Sequence, residues 1–109
     1  MATNYKVLGQ SAPAATTAST LYTVPAATET IVSSITVVNR GSSDGTYRIA
    51  VRPNGATLSN EHYVIYDAGL PAKATDALTL GITLSDTDVL EVYASSSDFS
   101  FNAFGSEVA

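Results

Sequence analysis

The sequence contains no cysteine, and this absence excludes several kinds of protein. There can be no disulfide framework, no thiolate nucleophile and no zinc site built on cysteine ligands. A small domain without such cross-links depends for its stability on its hydrophobic core or on assembly with other chains. Basic residues are also scarce, since 5 lysines and arginines stand against 10 aspartates and glutamates, and they are scattered along the chain. Binding to nucleic acid, which requires a concentrated basic surface, is therefore not expected.

Long hydrophobic runs are missing as well. No stretch of the sequence approaches the ~20 apolar residues that a membrane span needs, and the first twenty residues lack the basic start and apolar run of a signal peptide. We therefore expect no membrane contact and synthesis in a cytoplasm. The length of 109 residues fits one domain over residues 1–109. Such a domain can bury roughly 65% of its surface, and the hydrophobic content of 45% argues against disorder.

Apolar and polar residues alternate with a period of two through most of the chain, and this pattern predicts half-buried strands. Clear examples are TYRIAVR at 46–52, DVLEVYA at 88–94 and DFSFNAF at 98–104. Polar turns separate the runs, and Asp44 followed by Gly45 is a strong hairpin signal. With no convincing helical period, the sequence predicts an all-β fold, an antiparallel β-sandwich or jelly roll of about eight strands.

The beginning of the chain has a different composition. Residues 10–20 are small, polar and rich in alanine and threonine, which favours neither a helix nor a strand with a buried face. We expect residues 1–20 to form an extended N-terminal arm.

The stretch LTLGITLSDTDVLEVYAS at 78–95 predicts a hairpin whose turn is the polar segment SDTD. Asp86 and Asp88 in this turn could hold Ca²⁺ or Mg²⁺ through carboxylate oxygens. Aspartate is also a preferred turn residue that accepts a backbone N–H, and we favour that interpretation because the segment supplies too few oxygen ligands.

His62 is the only histidine, and no serine–histidine–aspartate arrangement forms around it. We therefore expect no catalytic residues, no metal site, no cofactor and no enzymatic activity.

Four aromatic residues are candidates for a contact surface. Tyr63, Tyr66 and Tyr93 lie in strands whose two faces are both partly apolar, and Phe104 falls out of step with Phe99 and Phe101. Either a bulge turns Phe104 inward or it lies on an outer face. Exposed aromatic side chains are typical of protein interfaces. The alternative is that two packed sheets bury all four residues.

A resemblance covers nearly the whole chain, from Tyr5 to Glu107. The stretches that carry it are YKVLGQ, LYTVPAATETIVSSITVVNR, TYRIAV, LTLGITLSDTDVLEVYAS and FSFNAFGSE. Together they resemble a group of small virion structural proteins of tailed bacteriophages. The resemblance implies a capsid decoration (cement) protein, which binds the outer surface of the shell and clamps neighbouring copies of the major capsid protein. The alternative role that it implies is a tail, baseplate or fibre component that binds a receptor or a glycan.

The same resemblance implies where the protein acts and in what form. It places the protein in the virion, on the capsid surface rather than in the tail. Cement proteins commonly sit at threefold positions of the shell, so it implies a homotrimer in which residues 10–20 reach a neighbouring copy. The contact would be centred on the tyrosines and the phenylalanine-rich end of the chain.

Overall fold

A computed structural model describes residues 2–109 and places them in two antiparallel sheets that pack face to face. The nine strands of the described residues are β1 (Thr3–Ser11), β2 (Ser19–Thr23), β3 (Glu29–Asn39), β4 (Gly45–Arg52), β5 (Tyr63–Leu70), β6 (Thr75–Leu78), β7 (Ile82–Leu84), β8 (Val89–Ala94) and β9 (Phe99–Val108). Sheet A has the order β1-β9-β3-β6, with β7 also pairing with β3, and sheet B has the order β2-β8-β4-β5. Single turns of 3₁₀ helix at Pro53–Gly55 and Asn60–His62 precede β5. The predicted all-β sandwich is confirmed.

The core lies between the two sheets, where the alternation of the sequence places it. The residues that β8 and β9 contribute to the hydrophobic core cluster are Leu90, Val92, Ala94, Phe99, Phe101 and Ala103. Tyr47 of β4 packs edge-on against Phe101, with 6.1 Å between the ring centroids. Its hydroxyl donates a hydrogen bond of 2.8 Å to Asp76 of β6, which joins sheet B to sheet A. Each fully buried aromatic side chain contributes about 2–3 kcal/mol through the hydrophobic effect.

Two loops that the sequence predicts as hairpin turns instead connect the two sheets. Asp44 ends the loop from β3 of sheet A, and Gly45 begins β4 of sheet B. Residues 85–88 lie between β7 of sheet A and β8 of sheet B. The hairpin predictions are therefore wrong. Alternation indicates which side chains are buried, but it carries no information on which strands pair.

The run LTLGITL also differs from its prediction as one continuous strand. Within this run, Leu78 is the last residue of β6 and Ile82–Leu84 form β7. The backbone turns between the two strands at Gly81, whose φ is 65°. Both short strands still pair with β3. They therefore form one interrupted edge of sheet A.

The segment for which the sequence predicts an extended N-terminal arm lies along the sandwich in the described residues. Residues 3–11 form β1, which pairs with β9 along its length. Residues 12–18 cross to sheet B, where the N–H of Thr16 donates to the carbonyl of Ala94 at 2.8 Å. Lys6 lies 3.2 Å from the carboxylate of Glu107, which also accepts a hydrogen bond from Tyr22 of β2. This tyrosine hydroxyl, more than Lys6, holds the pKa of Glu107 below its ordinary value.

Strand β9 has a bulged neighbour on each side. The register with β1 shifts between Val7 and Gly9, and the register with β3 shifts between Val32 and Ser34. The first shift lies opposite Ala103 and Phe104, and the second lies opposite Phe104 and Gly105. β9 itself keeps strict alternation through Phe104, because the extra residues belong to β1 and β3.

Candidate interaction surfaces on the two sheets

The outer face of sheet B brings together the three tyrosines that the sequence predicts as contact residues. Arg48 points outward from β4 because Tyr47 and Ile49 on either side of it are buried. Tyr93 of β8 lies directly opposite Arg48 in the strand register, and Tyr63 and Tyr66 come from β5 on the other side. We call Arg48, Tyr63, Tyr66, Asp67 and Tyr93 the tyrosine–arginine cluster.

Arg48 is stacked between two aromatic rings. Its guanidinium carbon lies 4.2 Å from the ring centroid of Tyr66 and 4.3 Å from that of Tyr93. Tyr63 is farther from the guanidinium, at 6.0 Å, but packs edge-on against Tyr66 with 4.9 Å between ring centroids. These distances are those of cation–π and edge-to-face aromatic contacts.

Asp67 completes the cluster and fixes the arginine. Its carboxylate accepts hydrogen bonds from Nε of Arg48 at 2.6 Å and from Nη2 at 3.3 Å. This hydrogen-bonded contact raises the pKa of Arg48 above its ordinary value. Asp67 adopts the left-handed conformation, with φ of 51°, at a point where β5 has an extra residue relative to β4. The bulge allows Tyr66 and Asp67 to reach Arg48 from the same side.

The cluster is a surface rather than a pocket. The crevice beside Arg48, Tyr63 and Tyr93 has a volume of only about 10 Å³, which is close to the minimum for one water molecule. The side chain of Tyr66 stands above it and is 59% exposed. This geometry suits contact with another macromolecular surface better than enclosure of a small molecule.

Phe104, the fourth predicted contact residue, lies on the opposite side of the molecule. It is half-buried on the outer face of sheet A, because its neighbour Ala103 points into the core. The structure therefore does not bring it together with the tyrosines. It lies opposite Val7 of β1 in the strand register, beside Tyr5 and Ile31. We call Tyr5, Val7, Ile31 and Phe104 the apolar patch.

Sequence reasoning missed three members of the apolar patch. Tyr5 is 86% exposed and Val7 and Ile31 are each 48% exposed. Tyr5 and Val7 alternate with Lys6, which is a strand signal, but the small polar residues that follow favour an arm. Ile31 lies in a run that is apolar on both faces, and such a run does not reveal which face meets solvent.

Asp88 and Asp86 are turn residues in the structure. The two carboxylate oxygens of Asp88 accept the backbone N–H groups of Ser85 and Asn54, each at 2.8 Å. This agrees with the turn role predicted for the segment. In the part of the chain that the structure describes, no three His, Cys, Asp or Glu residues are grouped so that they could hold a metal ion.

His62 is buried and has a structural hydrogen bond. Its Nδ1 accepts the backbone N–H of Ser59 at 3.1 Å, which closes the 3₁₀ turn before β5. The carboxylate of Glu61 lies 3.9 Å from Nε2. This geometry fixes the entry to β5 and so contributes to the position of Tyr63.

A surface depression of about 470 Å³ lies at the end of the sandwich where β4 begins and β5 ends. It is lined by Asp44, Gly45, Thr46, Gly69, Leu70 and Pro71. Its one ionisable side chain, Asp44, already accepts the backbone N–H of Ala72 at 3.1 Å.

No helix within residues 2–109 is long and apolar enough to cross a membrane.

Comparisons of the chain with protein-family models, with curated proteins and with solved structures found no match.

Proposed function

We propose that the protein is a structural component of a tailed-bacteriophage virion, a decoration protein that binds the outer surface of the capsid and stabilises the shell. The resemblance described from the sequence supports this role. The structural observation that carries it is the tyrosine–arginine cluster, an exposed and internally ordered aromatic surface without a pocket. The proposed partner is the major capsid protein, and the proposal assigns the protein no catalytic role.

The composition of the cluster favours a protein partner. Tyrosine and arginine are enriched among the residues that contribute most to binding at protein interfaces. Asp67 balances the charge of Arg48, so the surface offers aromatic rings and hydroxyl groups rather than an uncompensated charge. Docking on it would bury the rings and leave few polar groups unpaired.

The cluster is also pre-organised. Arg48 is stacked between Tyr66 and Tyr93 and is hydrogen-bonded to Asp67, so its side chain loses little further freedom on binding. Immobilising a flexible side chain on binding costs about 0.5–1.5 kcal/mol, and this cost is smaller for a side chain that is already held in place. A shell that binds many copies of a rigid sandwich gains stability by mass action, since each bound copy favours the assembled state.

The alternative is a tail, baseplate or fibre component that binds a glycan through the tyrosines. Aromatic rings beside a carboxylate and a guanidinium are groups that sugars contact. However, Arg48 covers one face of Tyr66 and one face of Tyr93, and the adjoining crevice is too small for a sugar ring. We therefore favour the protein partner.

Tyr66→Ala tests the role of the cluster. We expect it to weaken binding to capsid shells that lack this protein by roughly 30-fold, a loss of about 2 kcal/mol typical of a central interface tyrosine. The stability of the free protein should change by less than about 1 kcal/mol, because the side chain is 59% exposed. Co-sedimentation with the shells measures the affinity, and thermal unfolding measures the stability.

Leu80→Ala is the matched control, since Leu80 is 45% exposed but lies outside both the cluster and the apolar patch. It should bind like the unmodified protein. Equal binding by both variants would contradict the assignment of the cluster. Saturable binding of the unmodified protein to a glycan, lost in Tyr66→Ala, with no binding to shells, would favour the fibre role instead.

A further inference from the structure

The outer face of sheet A is unusual in its lack of charge. Its exposed or half-exposed positions include the apolar patch together with small polar residues such as Thr36 and Asn102. The protein has 10 acidic and 5 basic residues, yet Glu29 is the one charged side chain that the four strands β1, β9, β3 and β7 direct outward from this face. A solvent-facing sheet usually carries charges that prevent association. This face lacks that protection.

The nearest other charge on this face lies at its far end. Arg40 follows the last residue of β3, and its Nε donates to the hydroxyl of Ser100, an outward-facing residue of β9, at 2.8 Å. Its guanidinium therefore lies over the outer surface of sheet A. The ion pairs found between described residues include neither Glu29 nor Arg40. A negative end and a positive end thus flank an uncharged centre.

The charges at the two ends make this face complementary to the same face of a second copy. Glu29 and Arg40 are separated by the length of β3, about 36 Å at ~3.3 Å per residue. If a second copy packs on this face with its β3 running in the opposite direction, Glu29 of each copy meets Arg40 of the other. Val7 and Phe104, which lie level with the middle of β3, then come close to the two-fold axis, and Tyr5 and Ile31 lie between them and the Glu29 end.

The available area is sufficient for a specific contact. Four strands at ~4.8 Å spacing and about ten residues of length give a face of roughly 600 Å². Two such faces bury about 1,200 Å², the lower end of the range for stable interfaces. Face-to-face packing of twisted sheets at about 30° would allow the side chains to interdigitate.

We propose that the outer face of sheet A binds a second copy of this chain in a two-fold pair, centred on Val7 and Phe104 of the apolar patch and oriented by Glu29 and Arg40. The pair does not depend on the proposed capsid role, because it uses the sheet opposite to the tyrosine–arginine cluster. It differs from the homotrimer that the sequence resemblance implies, since a two-fold contact closes at two copies.

Light scattering on the purified protein at tens of micromolar tests the pair. We expect a mass of twice 11.3 kDa for the unmodified chain and a monomer for Val7→Arg, which places a charge level with the middle of β3, beside the same residue of the second copy. Val64→Arg is the matched control, because Val64 is 49% exposed but lies on β5 of sheet B, and it should remain a dimer. A monomeric or trimeric unmodified protein would overturn the proposal.

Charge reversal tests the orientation. Glu29→Arg and Arg40→Glu should each weaken self-association at least tenfold, because each sets like charges against one another at both ends of the pair. An equimolar mixture of the two variants should restore association as a heterodimer. One variant then carries arginine at both positions and the other carries glutamate at both, so opposite charges meet at each end of the pair. Circular dichroism confirms that each variant is folded. Failure of the mixture to associate would rule out the two-fold orientation, and all of these measurements are independent of capsid binding.

Discussion

Replacing Gly105 by alanine is expected to destabilise the protein by about 3 kcal/mol, the upper part of the range for overpacking a buried site. A Cβ atom on Gly105 would lie 2.0 Å from the carbonyl oxygen of Ile31 and 3.0 Å from its carbonyl carbon. Both are backbone atoms of the paired strand β3, so they cannot move aside as a flexible side chain could. The close approach arises from the bulge in β3 opposite this part of β9.

Gly69→Ala provides the matched control, because Gly69 is also a strand glycine but has no atom within 4 Å of the position that a Cβ atom would take. We expect its free energy of unfolding to change by less than about 0.5 kcal/mol. Urea denaturation of both variants gives the comparison. Similar losses at the two positions would show that the bulge does not constrain Gly105 as described.

Asn39→Asp is expected to cost about 3–5 kcal/mol, although the two side chains have nearly the same shape. Asn39 is completely buried at the end of β3. Its amide group donates to the carbonyl oxygens of Ser43 and Leu70 at 2.9 and 3.1 Å, and its side-chain oxygen accepts the N–H of Gly41 at 3.0 Å. Aspartate would remove both donors and place a carboxylate against two carbonyl oxygens.

Asn60→Asp serves as the comparison, since Asn60 is exposed in the single 3₁₀ turn before β5 and lies outside the proposed dimer face. Its cost should be below about 1 kcal/mol. Thermal unfolding at neutral pH measures both variants. A small loss for Asn39→Asp would mean that the loop from sheet A to sheet B does not depend on this amide.

For strands with clear alternation, the sequence is sufficient to predict which face is buried, but not how the strands pair. In β8 and β9 the alternation correctly places Leu90, Val92, Phe99 and Phe101 in the core. The turn at residues 85–88 is also predicted, yet it joins two sheets rather than two paired strands. Pairing depends on contacts between distant parts of the chain, such as β1 with β9, and these contacts cannot be predicted from local sequence patterns.

The candidate surfaces are predictable only in part for the same reason. Tyr63, Tyr66 and Tyr93 stand out as aromatic residues in two-sided strands, but Arg48 and Asp67 do not. Arg48 joins the tyrosines only because β4 lies between β8 and β5 in sheet B. Asp67 reaches Arg48 through a bulge, and its left-handed conformation has no signal in the sequence.

The apolar patch depends on the position of the first strand. Tyr5 and Val7 become part of a continuous surface because β1 lies beside β9, which brings them next to Phe104. An extended arm has no fixed face, so its side chains cannot be related to Ile31. The missing information is again the strand order.

A density map of the phage particle that contains this protein tests the proposed function most directly. We expect a nine-stranded sandwich of this shape on the outer capsid surface, with Arg48 and Tyr66 turned towards the major capsid protein. Density for the sandwich confined to the tail or fibre, or its absence from the particle, would contradict the proposal that this is a capsid decoration protein.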